Sequence, residues 1–145
     1  MRNKGFTIIE LLVVISVIAI LVGIAIPRFK GMQDEANISK VKAELRVMQT
    51  AIESHYMNIT PNAYPATSTT VCTDLNNDTP LIIGEPLIDP FEGGSTQYNY
   101  VLAAPYYVIW STGPNGTATI TGVNSSGVLQ GTLGDDVYAS NGTGF

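Results

Sequence analysis

An uncharged run near the N-terminus constrains the fold of this chain more than any other feature. Sixteen uncharged residues, Leu11 to Ile26, follow the basic leader Met1 to Gly5 and the segment Phe6 to Glu10. From Phe6 to Ile26 there are twenty-one residues, about 30 Å of helix and enough to span a bilayer. A secretory signal peptide is followed by a small-residue cleavage site. None follows this run, so we expect the membrane segment to be kept.

One carboxylate, Glu10, lies inside this apolar segment. A charged group at the bilayer centre costs roughly 2.5–3.5 kcal/mol even on the most lenient scale, so such groups normally have a partner. No Lys, Arg or His lies between Phe6 and Ile26. Cleavage after Gly5 would create a free amine at Phe6, on the same chain or on a neighbour. The alternative is that Glu10 lies at the membrane surface and reaches water.

The N-terminal segment resembles the class III signal of type IV pilins and type II secretion pseudopilins. The resemblance implies that a membrane prepilin peptidase cleaves between Gly5 and Phe6, that Phe6 is then N-methylated, and that Glu10 recognises the terminus of an adjacent subunit. The implied partners are other copies of the chain in a helical homopolymer, the inner-membrane assembly platform, minor pilins and inner-membrane lipid. The resemblance extends to about Pro27 and is carried by Lys4-Gly5-Phe6-Thr7-Ile8-Ile9-Glu10-Leu11-Leu12-Val13-Val14.

Positive charge flanks the apolar segment on both sides, with Arg2 and Lys4 before it and Arg28 and Lys30 after it. The count of basic residues therefore does not decide orientation. The resemblance implies a precursor in the bacterial inner membrane, with the leader in the cytoplasm and the globular domain in the periplasm. Assembly would then place the chain in a periplasmic pseudopilus or an extracellular pilus.

Basic side chains are confined to the first third of the chain, the last being Arg46. Removal of the leader takes away Arg2 and Lys4 and changes the net side-chain charge from −5 to −7. Binding to nucleic acid depends on Lys and Arg that neutralise phosphates. No nucleic-acid binding is therefore expected from this charge.

The apolar pattern beyond the membrane segment predicts that the helix continues. Pro61 predicts its end near Thr60. We expect a leader at 1–5, a membrane and assembly half of the helix at 6–26, an amphipathic half at 27–60, and a small globular β domain at 61–145. His55 is predicted to be a surface or capping residue. The apolar positions recur at spacings of three and four: Ile38, Val41, Leu45, Met48, Ile52, Tyr56 and Ile59.

Continuity of the helix is least certain between Gly23 and Pro27. Pro27 lacks the N–H that would bond the carbonyl of Gly23, and glycine is itself a weak helix former. One interpretation is a modest kink tolerated in lipid. The other is that this segment melts when subunits pack, as the resemblance to related filaments implies for the matching Gly and Pro.

Beyond Pro61 the sequence predicts an α+β fold, in which a small antiparallel sheet packs on the amphipathic half of the helix, the pilin fold. Residues 62–80 are predicted to form a loop. Three strands are predicted at 96–102, 106–112 and 117–123, joined as a meander. Tyr98, Tyr100 and Leu102 alternate onto one face, as do Tyr106, Val108 and Trp110.

The C-terminal sequence is similar to that of major type II secretion pseudopilins, in which a calcium ion holds the last loop. The similarity rests on Asp89-Pro90-Phe91, on Gly113-Pro114-Asn115-Gly116 and on the pair Asp135 and Asp136. The implied ligands are Asp135, Asp136, Asn115 and a carbonyl near Leu133, since calcium takes six to eight oxygen ligands. The family usually carries Asp where this chain has Asn115. The alternative is a solvated acidic turn without a metal.

An enzyme is not expected. Cys72 and His55 are the only thiol and imidazole, nothing in the sequence orients them, and no nucleotide-binding or metal-type motif occurs. We expect a non-catalytic filament subunit, with the major pseudopilin of a type II secretion system as the leading interpretation. The alternative is a type IV pilin of a surface pilus, used in adhesion, twitching motility or DNA uptake. A monomeric membrane-anchored binding module would not need Glu10.

Overall fold

The computed structural model describes residues 5–67, 71–76 and 81–144, and within them the chain has the α+β fold that the sequence predicts. By contacts the chain forms two compact units, Met1–Ala36 and Asn37–Phe145. The helices and strands are α1 Ile8–Asn58, α2 Val71–Asn76, β1 Asn99–Ala103, β2 Tyr106–Ser111, β3 Ile120–Val123, β4 Leu129–Gly131 and β5 Val137–Ser140.

The first unit is dominated by the apolar part of α1, whose side chains are exposed in the isolated chain. Within the described residues, α1 is the helix long and apolar enough to cross a membrane, with an 18-residue stretch of mean hydropathy 3.0. The one hydroxyl in this stretch, Ser16 Oγ, donates to the carbonyl of Val13 at 2.8 Å. That bond satisfies the polar group without water.

In the second unit, the predicted apolar stripe of α1 forms one side of the core. Val41, Leu45, Met48 and Ile52 are at most 1% exposed. The prediction that His55 is a surface or capping residue is wrong as to the surface, because His55 lies on the buried face of α1 with Ala51 and Ile52. A helix repeat of 3.6 residues returns to the same face three residues after Ile52.

The sheet differs from the predicted meander in its third strand. β1 and β2 form the predicted antiparallel hairpin, with Tyr100 opposite Ile109. The partner on the other side of β2 is β5, antiparallel, with Trp110 opposite Tyr138. β3 instead pairs with β4 in a separate two-stranded sheet. Both β4 and β5 are absent from the prediction, because short strands with glycine and polar residues carry little alternating pattern.

The three-stranded sheet is apolar on both faces. Tyr98, Tyr100 and Tyr107 belong to the core cluster that includes the stripe of α1. Val108 and Trp110 belong to a second cluster, built with Ile120 and other residues of β3 and β4. The predicted alternation of side chains is thus confirmed: successive residues of a strand point to opposite faces.

The predicted loop at 62–80 contains a short helix, α2. Its Val71, Cys72 and Leu75 are fully buried against the stripe of α1. Cys72 Sγ lies 3.1 Å from Met48 Sδ. A helix of six residues shows too few turns for its periodicity to be recognised in a sequence.

Two carboxylates of α1 bind tyrosine hydroxyls of the second unit. Glu53 accepts hydrogen bonds from Tyr107 at 3.0 Å and from Tyr64 at 3.2 Å, and Glu44 accepts one from Tyr98. Burial, together with these carboxylates, raises the pKa of Tyr98 and of Tyr107 well above the usual value for tyrosine. Both phenols therefore stay protonated and donate to the helix.

Asp89 is a buried carboxylate that joins the segment before β1 to the end of β2. It is 1% exposed, and its Oδ1 accepts from Phe91 N at 2.9 Å and from Ser111 Oγ at 2.8 Å. Its Oδ2 accepts from Thr112 N at 3.2 Å. Two buried donors and one half-buried donor thus depend on one side chain.

We predict that Asp89→Ala lowers the free energy of unfolding of the fragment Arg28–Phe145 by about 3 kcal/mol, since buried donors left without an acceptor are costly. Urea denaturation measures the loss. The control is Glu85→Ala, which removes an exposed carboxylate and should change stability by less than about 0.5 kcal/mol. Equal effects of the two variants would contradict the structural role of Asp89.

Candidate functional site

The carboxylate of Glu10 takes part in a capping box at the start of α1. Glu10 Oε2 accepts from Thr7 N at 2.9 Å and from Thr7 Oγ1 at 2.8 Å. Thr7 Oγ1 in turn accepts from Glu10 N at 3.3 Å. This reciprocal pattern satisfies backbone donors that a helix start leaves unpaired. It also fixes the position of the carboxylate relative to the backbone at Thr7.

The other oxygen of this carboxylate, Glu10 Oε1, accepts no hydrogen bond from the described residues. The apolar residues Phe6, Ile9 and Val13 line the same shallow, open surface as Glu10. Gly5 and Phe6, the predicted cleavage pair, precede the helix, and Phe6 is 80% exposed. Cleavage between them would place the new amine on Phe6, three residues before Ile9 and four residues before Glu10 in the sequence.

The segment from Gly23 to Pro27 is helical in the single chain, with Pro27 inside α1. Nothing lies within 4 Å of the position that a Cβ on Gly23 would occupy. Melting of this segment in a filament stays a prediction.

A second cluster of predicted site residues lies where the turn after β2 meets the residues before β5. Asp136 is 6% exposed, and its Oδ2 accepts from Thr119 N and from Ile120 N, both at 2.8 Å. Its Oδ1 is buried and has no hydrogen-bond partner among the described residues. A buried carboxylate oxygen in that state is an acceptor available to a cation.

The neighbouring carboxylate, Asp135, is bound by Asn115. Asp135 Oδ2 accepts from Asn115 N at 2.8 Å, and Asp135 Oδ1 accepts from Asn115 Nδ2. Gly113 makes this approach feasible: its φ is +67°, and a Cβ there would lie 2.2 Å from the carbonyl oxygen of Asp135. The glycine is thus required both by its backbone conformation and by the contact.

The structure brings all four predicted calcium ligands into one region. Leu133, Asp135 and Asp136 line one groove together with Lys42 of α1, and Asn115 is hydrogen-bonded to Asp135. The amide oxygen of Asn115 accepts from Thr117 N at 2.6 Å. Within residues 5–67, 71–76 and 81–144, no three His, Cys, Asp or Glu side chains are grouped so as to hold a metal ion. A site here would combine two carboxylates with neutral oxygens.

Three functional features were missed by the sequence predictions. The Thr7 cap has a readable signal, Thr-x-x-Glu at a helix start. The burial of Asp89 has no local signal, because two of its three donors, on Ser111 and Thr112, are more than twenty residues away in sequence. The sequence also gives no sign that Lys42 lies beside Asp135. The two residues are far apart in sequence, and only the packing of the second unit brings them together.

Comparisons with known proteins agree with the N-terminal site. Residues 1–26 match the family described as the prokaryotic N-terminal methylation motif. The type IV narrow pilus major component PilA5 of Thermus thermophilus is 51% identical over 51 residues, 35% of this chain and 44% of that protein. The type IV major pilin protein PilA of Myxococcus xanthus is 44% identical over 55 residues, 38% of this chain and 25% of that protein. The alignments therefore cover less than half of either pilin.

A third relative aligns along nearly the whole chain. The type II secretion system core protein G of Klebsiella pneumoniae is 22% identical over 135 residues, 89% of each protein. No solved structure matches this chain. The chain is thus similar to type IV pilins over its N-terminal third and to a secretion-system core protein along nearly its whole length.

Proposed function

We propose that this chain is the major pseudopilin of a type II secretion system, a non-catalytic subunit whose polymerisation drives protein export. The observation that carries the choice of system is the extent of the alignments. The secretion-system core protein aligns over 89% of this chain, including the globular domain. The two pilins align over 35% and 38% of it.

A surface type IV pilin is the second candidate. Its support is the higher identity of the N-terminal alignments, 51% and 44% against 22%. That part of the chain holds the membrane segment and Glu10, which both kinds of filament would use in the same way. Identity there consequently supports filament formation more than it supports the choice of system.

The proposed assembly begins in the inner membrane with the leader in the cytoplasm and the globular domain in the periplasm. A prepilin peptidase cleaves after Gly5, and Phe6 becomes the N-methylated terminus of the mature chain. The assembly platform and minor pilins then add the subunit to the growing filament, which is a periplasmic pseudopilus or, in the alternative, an extracellular pilus.

The proposed recognition step is electrostatic. Glu10 carries a charge in an apolar segment without a basic residue, and the new amine of a neighbouring Phe6 supplies the opposite charge. Thr7 holds Oε2 and leaves Oε1 available. In hydrocarbon the attraction between these two charges is far less screened than in water. A neighbouring chain whose terminus lies next to Glu10 is therefore favoured over one that is shifted along the helix. Melting at Gly23 to Pro27 would let adjacent helices adjust as they pack.

We also propose that the groove at Asp135 and Asp136 binds calcium. The buried, unpartnered Oδ1 of Asp136 supports this, as does the oxygen-rich chemistry of Asp135 and the carbonyl near Leu133. Asn115 is the fourth proposed ligand. A bound ion would neutralise two adjacent carboxylates and hold the segment before β5 to the turn after β2, a role that a disulfide cannot fill in a chain with one cysteine.

The assembly role of Glu10 is tested by two variants that separate charge from capping. Glu10→Gln removes the charge, and glutamine can still serve in a capping box. Thr7→Val removes the cap and keeps the charge. We expect Glu10→Gln to be cleaved normally. The yield of sheared or pelleted filaments should fall at least about tenfold, which corresponds to a loss of roughly 1.4 kcal/mol in assembly free energy. Thr7→Val should have the smaller effect.

Mass spectrometry of the mature N-terminus confirms cleavage and methylation in each variant. Normal filaments from Glu10→Gln would show that the charge is not needed for assembly. A loss confined to Thr7→Val would assign the role to helix capping instead.

The choice between the two systems is tested by deleting the gene in the native host. We expect secreted enzymes to be lost from the culture supernatant, while surface fibres and twitching motility are unchanged. Complementation with the wild-type gene restores secretion. The opposite result, with fibres lost and secretion intact, would establish the surface pilin.

The calcium proposal is tested by thermal unfolding of the fragment Arg28–Phe145. An excess of calcium over chelator should raise the melting temperature by at least about 4 °C, because a ligand that binds only the folded state stabilises it. Asp135→Asn should abolish the rise, and the matched control Glu85→Gln should keep it. Identical melting with calcium and with chelator in the wild-type fragment would contradict the proposal.

A further inference from the structure

In the part of α1 that belongs to the second unit, two cations have no acidic partner among the described residues. Lys40 pairs with Glu44, with Nζ 3.7 Å from Oε1. Lys42 and Arg46 are exposed and form no ion pair with the described residues. They are four residues apart, so they lie on the same face of the helix.

Six acids after Arg46 have described side chains, and four of these are already engaged. Glu53 binds two tyrosine hydroxyls, Asp89 and Asp136 are buried and bind backbone donors, and Asp135 is bound by Asn115. The remaining acids with described side chains are in one loop, at its two ends, and neither forms an ion pair with the described residues. They are Glu85, which is exposed, and Glu92, which is half-buried and accepts a weak hydrogen bond from Asn99.

The two cations line a groove beside an open strand edge. Lys42 and Arg46 face Tyr138 and Ser140 across it, and Gln49 Nε2 donates to the carbonyl of Ser140 at 3.2 Å. The strand β5 is the outermost strand of its sheet. We call this surface the basic groove and the residues 84–92 the acidic loop.

We propose that the basic groove of one copy receives the acidic loop of the next copy, so that Lys42 and Arg46 pair with Glu85 and Glu92 of a neighbour. This proposal rests on the proposed function, since it describes how filament subunits contact one another outside the membrane segment. Charge complementarity selects the occupant: the mature chain is strongly acidic, and among the described side chains of the second unit these are the Lys, Arg, Asp and Glu residues left for a neighbour.

The geometry of such a contact fits a polymer. The two surfaces are different parts of the chain, so each copy offers one of each to its neighbours. A contact between unlike surfaces is heterologous and continues from copy to copy, producing an open helical assembly when it does not close into a ring. Charged pairs at its rim would act mainly on register and on the choice of partner.

Charge reversal in the full-length chain tests this. Lys42→Glu with Arg46→Glu should reduce pelleted filaments at least about fivefold, because each groove then repels the loop. Glu85→Lys with Glu92→Lys should do the same. All four changes together should restore at least about half of the wild-type yield, which also shows that the altered chains fold.

Cross-linking gives a second, independent readout. In a Cys72→Ala background, a chain with Arg46→Cys is co-expressed with a chain carrying Glu85→Cys, and a short bismaleimide is added to the cells. A cross-linked dimer of the two chains is expected. The matched control replaces Glu85→Cys by Ser126→Cys, an exposed position on the turn between β3 and β4, and should give no dimer.

The outcomes separate this inference from the proposed function. If wild-type filaments form and both reversed pairs polymerise like wild type, the contact is wrong and the filament role stands. Failure of the fourfold variant to recover, or equal cross-linking at Ser126, also overturns the contact. If Glu10→Gln has no effect on filaments, the proposed assembly step fails whatever the groove variants show.

Discussion

The helix α1 must satisfy two different surroundings along one continuous backbone, and this constraint organises the molecule. Up to Ile26 its side chains are apolar on every face apart from Glu10 and Ser16, which suits hydrocarbon. From Val41 onward only one stripe is apolar, and that stripe is buried against the tyrosines of the sheet. The charged side chains in these two stretches are therefore exceptions to the apolar pattern. Each has a hydrogen-bonding partner in the chain or lies on a surface where a neighbouring chain can supply a partner.

Buried or half-buried carboxylates accept hydrogen bonds that link elements which hydrophobic packing alone would hold less firmly in register. Glu53 and Glu44 bind tyrosine hydroxyls, while Asp89 and Asp136 bind backbone donors of distant segments. Such bonds are directional, and a buried carboxylate that lost its donors would be costly. They determine the placement of the segments before β1 and before β5, which lack long strands of their own.

The candidate sites differ in how far the sequence could predict them. Glu10 could be singled out from the local sequence, because it is a carboxylate inside an otherwise uncharged run. Its partner Thr7 has an equally local signal, the capping box. The C-terminal cluster is non-local: Asp135 meets Asn115 only because β5 pairs with β2, and Lys42 approaches only through packing on α1.

The amino-acid order by itself determined the long apolar segment of α1, its buried stripe and the hairpin of β1 and β2, because these depend on patterns within ten to twenty neighbouring residues. Tertiary structure alone decided that β5 rather than β3 completes the sheet, that α2 closes the core with Cys72, and that His55 is buried. Each of these depends on pairing or burial between residues far apart in the chain. A short strand or helix gains its stability from those contacts, so its own sequence carries little sign of them.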